Sequence, residues 1–349
     1  MNSTLKNLLK FVLFLGIGVT ILYVVYQKNS ATYLADCVSK GGTADSCIFW
    51  KKLLSDFKTA KFQWLVLAIL LFTISNVSRA IRWKMLLTPL GKTPRFINSF
   101  LTIILGYFAN LGLPRSGEFV RAGTLAKYED IPFEKVMGTV VVDRIFDVVS
   151  ILIVTGIALI VEFDKIWDFF GPYLSFNKNL LIVGIVLLGL LGLLFVFRQK
   201  LTQVSLFKKV ENLIKGFGEG LSSVSKIDKP WWFLFHSVNI WLMYFFMTYV
   251  IFFSFEPTEH LSPVVGLVSF VFGAWGIVIP SPGGMGTYHF LTQTVLGFYG
   301  VSDINAFSFA NISFVTIQLF TNILTGILAL ILLPIVNRTY QPEAKLAND

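Results

Sequence analysis

Long apolar runs limit this chain more than any other feature: six segments stay apolar long enough for a helix rising ~1.5 Å per residue to cross ~30 Å of hydrocarbon. They are Leu8 to Tyr26, Phe62 to Ser78, Val136 to Val161, Leu180 to Phe197, Trp231 to Phe255 and Ile304 to Leu333. Backbone groups in lipid must be satisfied within such a segment, so the pattern predicts an all-α, polytopic transmembrane helical bundle. Composition agrees. Of 349 residues, 55% are hydrophobic and 14% charged, which leaves too little polar surface for a water-soluble globule.

A formal net charge of +9 raises nucleic acid as a partner. The Lys and Arg residues, however, gather between apolar runs, where the positive-inside bias puts them, and no nucleic-acid partner is expected. Arg79, Arg82, Lys84, Lys92 and Arg95 follow the second run without an acid among them, and read as a cytoplasmic loop. Both termini are then cytoplasmic in a multi-pass protein of the cell (inner) membrane. Arg198 to Lys229 is Lys-rich and fits the cytoplasm, whereas Glu162, Asp164, Asp168, Glu256 and Glu259 fit the outside. Residues 27–61 carry Lys51, Lys52, Lys58 and Lys61 yet fall outside in this scheme; a loop this long follows the rule less strictly. The first run starts near Lys6 and Lys10, lacks a small-residue cleavage site, and reads as a retained signal anchor. Cys37 and Cys47 have neither metal nor redox spacing, and a disulfide between them would require an oxidising compartment.

Two further apolar stretches, Phe96 to Leu113 and Pro263 to Phe298, are interrupted by Pro and Gly. The first breaks at Gly112-Leu113-Pro114 and the second at Pro280-Ser281-Pro282-Gly283-Gly284-Met285-Gly286. Each half of the chain therefore reads as span, re-entrant broken-helix hairpin, span, with opposite orientations in the membrane. That is the inverted repeat of many transporters. The expected divisions are 1–61, a signal-anchor helix and polar outer loop; 62–161, the first half; 162–230, a connecting span and basic amphipathic cytoplasmic segment; and 231–349, the second half with a short tail. In the connecting segment Val204, Phe207, Val210, Ile214, Phe217, Leu221 and Val224 recur at helical spacing between Lys208, Lys209 and Lys215.

Charges inside the apolar runs mark the candidate site. Asp143, Arg144 and Asp147 interrupt Val136 to Val161, and each intramembrane charge costs roughly 2.5–3.5 kcal/mol on insertion scales, so they must be paired or face water. The return arm of the first hairpin supplies Arg115, Glu118 and Arg121; Arg115 and Glu118, three apart, could pair on a helix. Guanidinium forks match phosphate, and a Gly/Pro break offers backbone N–H groups to an anion. We therefore take Arg115, Glu118, Arg121, Asp143, Arg144, Asp147, Gly283, Gly284 and Gly286 as candidate substrate-binding residues. An Asp–Arg pair that merely locks helices is the alternative. His236, His260 and His289 are scattered, and neither a Walker pattern nor a dinucleotide loop occurs, so no metal, cofactor or catalytic residue is assigned.

Several phrases occur together in order: Arg82-Trp83 with Leu86-Leu87, Gly106-Tyr107-Phe108-Ala109-Asn110, Pro114-Arg115-x-Gly117-Glu118-x-x-Arg121-Ala122, Val140-Val141-Val142-Asp143-Arg144-x-x-Asp147, and Pro282-Gly283-Gly284-Met285-Gly286-Thr287. With these the chain resembles the transmembrane region of lysylphosphatidylglycerol synthases, which also occurs as stand-alone flippase-like membrane proteins. The resemblance covers nearly the whole chain, and the attached cytoplasmic transferase domain is absent up to Asp349. It implies movement of an anionic or aminoacylated phospholipid, or another lipid phosphate, between leaflets, with the phospholipid headgroup as binding partner. Two rival readings stand beside it: a membrane enzyme acting on a lipid-linked phosphate through Asp143 and Asp147, and a non-transporting partner of a lipid-modifying enzyme.

Overall fold

The computed structural model describes residues 3–113, 115–164, 227–279 and 281–340. The fold is all-α, a membrane helical bundle, with no strand among the described residues. In chain order the helices are α1 (Ser3–Ser39), α2 (Phe49–Thr59), α3 (Phe62–Leu87), α4 (Phe96–Gly112), α5 (Gly117–Glu129), α6 (Phe133–Val161), α7 (Pro230–Phe252), α8 (Pro263–Val278), α9 (Thr287–Phe298), α10 (Asp303–Phe314) and α11 (Asn322–Val336). A π-helical turn, Val315–Thr321, joins the last two into one long element. Among the described residues, four helices are long and apolar enough to cross a bilayer: α3 with the 3₁₀ turn after it, α6, α7, and α10 continued through α11. The expected span Leu180 to Phe197 and the amphipathic segment Val204 to Val224 lie outside the described residues.

The same order recurs in both halves: a long helix, a pair of short helices, a long helix. The short pairs are α4–α5 and α8–α9, of 17, 13, 16 and 12 residues. At ~1.5 Å per residue none exceeds about 26 Å, short of the ~30 Å hydrocarbon core. Glycine closes both pairs. A Cβ on Gly106 of α4 would stand 2.9 Å from the Gly117 carbonyl oxygen of α5, and one on Gly276 of α8 would stand 2.8 Å from the Tyr288 Cα of α9. Backbones packed this closely across an apolar interface admit only small residues.

The two hairpin tips meet. Arg115 Nη2, at the first break, donates to the Val278 carbonyl oxygen at the second, 3.4 Å away. A Cβ on Gly283 would lie 3.0 Å from Leu111 Cδ2. Helix α1 then docks against the second tip, where a Cβ on Gly286 would stand 2.6 Å from the Gly18 oxygen. Further along, Asn29 and Gln293 exchange amide hydrogen bonds at 3.1 and 3.0 Å in a buried interface. The stretch 27–61, read from the sequence as a polar loop, is largely helical: α1 continues to Ser39 and α2 follows, with Cys37 and Cys47 joined in a disulfide between them.

At the base of the first hairpin, Glu129 on α5 accepts from Arg95 N at 3.0 Å, Asn98 Nδ2 at 2.6 Å and Tyr340 Oη at 3.0 Å. Asn98 and Asn337 exchange bonds at 2.8 and 2.7 Å. These ties fasten the end of α11 to the start of α4.

Candidate functional site

Helix α3 does not stop at Ser78, as the sequence pattern suggested, but continues to Leu87. This overturns the assignment of Arg79 and Arg82 to a cytoplasmic loop. Both are buried within the bundle, at 2% and 0% exposure. The helix continues because nothing breaks it before Pro89, and because Ala80, Trp83, Leu86 and Leu87 keep an apolar face against the core. The two arginines are tolerated at that depth because α6 presents Asp143 and Asp147 to them, one helical turn apart.

Asp143 is fully buried and carries most of the network. Its Oδ1 accepts from Arg82 Nε at 3.0 Å and Nη2 at 2.6 Å, and its Oδ2 from Arg121 Nη1 at 2.9 Å and Arg79 Nη1 at 3.3 Å. Asp147 accepts from Arg79 Nη1 at 2.6 Å, Arg82 Nη2 at 2.8 Å and Arg144 Nη1 at 3.2 Å. Arg144 in turn faces Glu118, Nε to Oε1 at 3.4 Å. Arg121 is backed by Trp83, whose ring centroid lies 3.8 Å from the guanidinium carbon, while the Trp83 indole N–H donates to Thr139 Oγ1 at 3.0 Å. Four helices, α3, α5, α6 and α7, therefore converge on one polar knot, with Ser237 of α7 3.4 Å from Arg82 Nη1. Asp143 stands ten residues past Phe133, roughly 15 Å along α6, so the knot sits well within the helix rather than at its end.

Charge does not cancel. Arg79, Arg82, Arg121 and Arg144 oppose Glu118, Asp143 and Asp147, four cations against three anions. Among the described residues, the most exposed members of the knot are Arg144 and Glu118. Arg144 and Glu118 side chains retain 38% and 22% exposure, against 0% for Asp143. Nearby, Tyr107 of α4 and Tyr244 of α7 share a hydrogen bond at 3.1 Å.

Of the residues singled out from the sequence, Glu118, Arg121, Asp143, Arg144 and Asp147 are brought together. Arg115 is not in the knot. It is exposed at the hairpin tip, takes φ 63°, and does not pair with Glu118, whose partner is Arg144. Gly283, Gly284 and Gly286 all adopt positive φ at the second break. There Gly284 N–H is taken by the Ser281 carbonyl at 3.1 Å; Gly284 packs on Ile277, and Gly286 on α1. The residues missed were Arg79, Arg82, Tyr107 and Tyr244. A signal for the arginines was present in the unbroken helical stretch from Ser78 to Thr88.

A helical bundle with apolar outer faces, a polar knot in its interior and two broken hairpins meeting tip to tip defines an integral membrane protein. Residues 47–335 match the lysylphosphatidylglycerol synthase transmembrane region, and the chain belongs to that family. A UPF0104 membrane protein of Methanocaldococcus jannaschii is 32% identical over 139 residues, covering 34% of this chain and 41% of the relative, so the match spans less than half of that protein. No solved structure matches the chain. All of α1 precedes the matched region.

Proposed function

We propose that this protein translocates a phosphate-bearing lipid between leaflets. The observation that carries the reading is the meeting of the two hairpin tips through Arg115 and Val278, next to an arginine-rich knot whose Arg144 and Glu118 stay partly exposed. In this reading the headgroup passes along a polar path from Arg144 and Glu118 to Arg115, while the acyl chains stay in lipid. Opposite orientation of the halves would place both hairpin tips near the midplane, where broken helices of transporters form their sites.

The assignment of sides follows from two features. Lys84, Lys92 and Arg95 lie at the end of α3 far from α2, which supports a cytoplasmic loop there. The Cys37–Cys47 disulfide at the other end supports an oxidising compartment. Both features are consistent with residence in the cell membrane. The enzymatic alternative is disfavoured, because Asp143 and Asp147 are engaged by arginines and are not free to act as acid, base or metal ligands.

The deciding experiment follows transbilayer movement of headgroup-labelled phospholipids in proteoliposomes containing wild type, Arg115→Ala or Arg144→Ala. Movement above empty vesicles, lost in the variants, is the expected result. Equal movement with and without inserted protein would transfer preference to a non-transporting partner of a lipid-modifying enzyme.

A further inference from the structure

The knot's hydrogen-bonding capacity is uneven in a way that bears on which headgroup it takes. An ionised carboxylate accepts through about four lone-pair positions, and Asp143 already receives four side-chain donors, Asp147 three. Asp143 is filled, and Asp147 keeps at most one position for an incoming ammonium. Donors, by contrast, are left over. Arg79 Nε, Arg121 Nε and Arg121 Nη2 are buried without a hydrogen-bond partner, whereas the carboxylates leave one such oxygen, Glu118 Oε2. The spare donors and the surplus positive charge coincide in a site whose exposed members are Arg144 and Glu118. Arg115, at the tip beyond Glu118, adds a further cation with no acid within ion-pair distance among the described residues.

We propose that the site selects by headgroup charge: it takes an anionic phosphate, either a singly charged phosphodiester or a more highly charged phosphomonoester, and rejects a headgroup whose net charge is positive because of an added amine. This deepens the translocation reading and rests on it for passage of the lipid, though not for binding. The physical basis is that surplus charge in a poorly solvated site is costly until an anion neutralises it, and an added cation repels. Guanidinium edges also present paired donors at the spacing of phosphate oxygens, so leftover Arg N–H groups suit that ligand better than a carbonyl or hydroxyl. A lysylated glycerolipid keeps the phosphate but adds two ammonium groups, against which the site offers only Glu118 Oε2 and one remaining position on Asp147, both set among four arginines. By this reasoning the chain differs in substrate from the activity its family name describes.

The test uses the purified full chain in nanodiscs of zwitterionic lipid doped with phosphatidylglycerol, phosphatidylethanolamine or lysylphosphatidylglycerol, with retained lipid read by native mass spectrometry. Phosphatidylglycerol is expected to be retained roughly tenfold over lysylphosphatidylglycerol, with phosphatidylethanolamine between them. Arg144→Gln and, at the exposed tip, Arg115→Gln should each flatten that preference; the second variant leaves the buried knot untouched. A parallel arm adds inorganic phosphate and glycerol phosphate in solution. If these bind with the same arginine dependence while no lipid is retained, the anion site stands and the lipid translocation reading falls. Equal or greater retention of lysylphosphatidylglycerol, a preference unchanged in both variants, or no binding in either arm would overturn the proposal.

Discussion

The guanidinium of Arg121 lies 3.8 Å above the ring of Trp83 while its Nη1 reaches Asp143 at 2.9 Å. One face of the cation thus meets an aromatic quadrupole and one edge meets a carboxylate. Trp83→Leu removes the ring and the indole bond to Thr139. It should cost about 2–4 kcal/mol, from a desolvated cation–π contact of ~2 kcal/mol and a hydrogen bond of ~1 kcal/mol plus packing. Thermal unfolding followed by intrinsic fluorescence in detergent reads the loss, and a change under about 0.5 kcal/mol would refute it.

Asp143→Asn should be more damaging than any single arginine truncation, since it leaves Arg82, Arg121 and Arg79 facing a neutral amide. Removing one member of a buried ion pair costs about 3–5 kcal/mol. Adding Arg121→Gln to Asp143→Asn should recover part of that loss, because the second change removes a charge the first had stranded. A double-mutant cycle on unfolding free energy checks this; strict additivity would mean the two side chains are not coupled.

Gly117→Ala should disrupt the first hairpin, because the new Cβ would collide with the Gly106 carbonyl oxygen and crowd Asn110. Forced opening of this kind costs roughly 1–3 kcal/mol. Gly276→Ala is the corresponding test in the second hairpin. Gly297, with open space around it, is the control: Gly297→Ala should leave the melting temperature unchanged or raise it.

Arg115 holds a left-handed backbone at φ 63°, a conformation that costs a non-glycine residue roughly 1–2 kcal/mol. Arg115→Gly should therefore keep stability within about 1 kcal/mol of wild type and still lose lipid movement. Parallel melting and flux measurements separate the two effects. A large drop in stability would show that the side chain is structural.

The Cys37–Cys47 bridge spans ten positions, and by loop entropy its loss should cost about 3 kcal/mol. After mild reduction, Cys37, the more exposed of the two, should react with a membrane-impermeant maleimide added from outside intact cells. Labelling only after permeabilisation would invert the assigned topology.

The fold was legible where the physics is local. Runs such as Val136 to Val161 fixed the helices, and the phrases around Pro114 and Pro280 marked the breaks in the apolar stretches. Asp143 and Asp147 were also visible, because an acid in an apolar run is conspicuous. Arg79 and Arg82 were not recognised. They sit near Lys84 and Lys92, and a buried arginine at the end of a span looks the same in sequence as a loop arginine until its acid partner is located. That partner lies more than sixty residues away, at separations of 61 to 68 positions. Gly286 likewise looked like part of an anion-binding turn, and the structure shows helix α1 packed against it, a contact no local pattern encodes.

The distance between those partners also orders the protein's biogenesis. Helix α3 leaves the ribosome with two arginines in its C-terminal half before α6 and its aspartates have been made. On insertion scales each such arginine costs roughly 2.5–3.5 kcal/mol at the membrane centre. The apolar first part of α3, Phe62 to Ser78, must therefore anchor the helix while Arg79 and Arg82 wait near the headgroups. The span can settle to its final depth only when α6 arrives with Asp143. Assembly of the knot is thus a timed event in membrane insertion, and a chain interrupted before Asp143 should expose α3 to quality-control proteolysis.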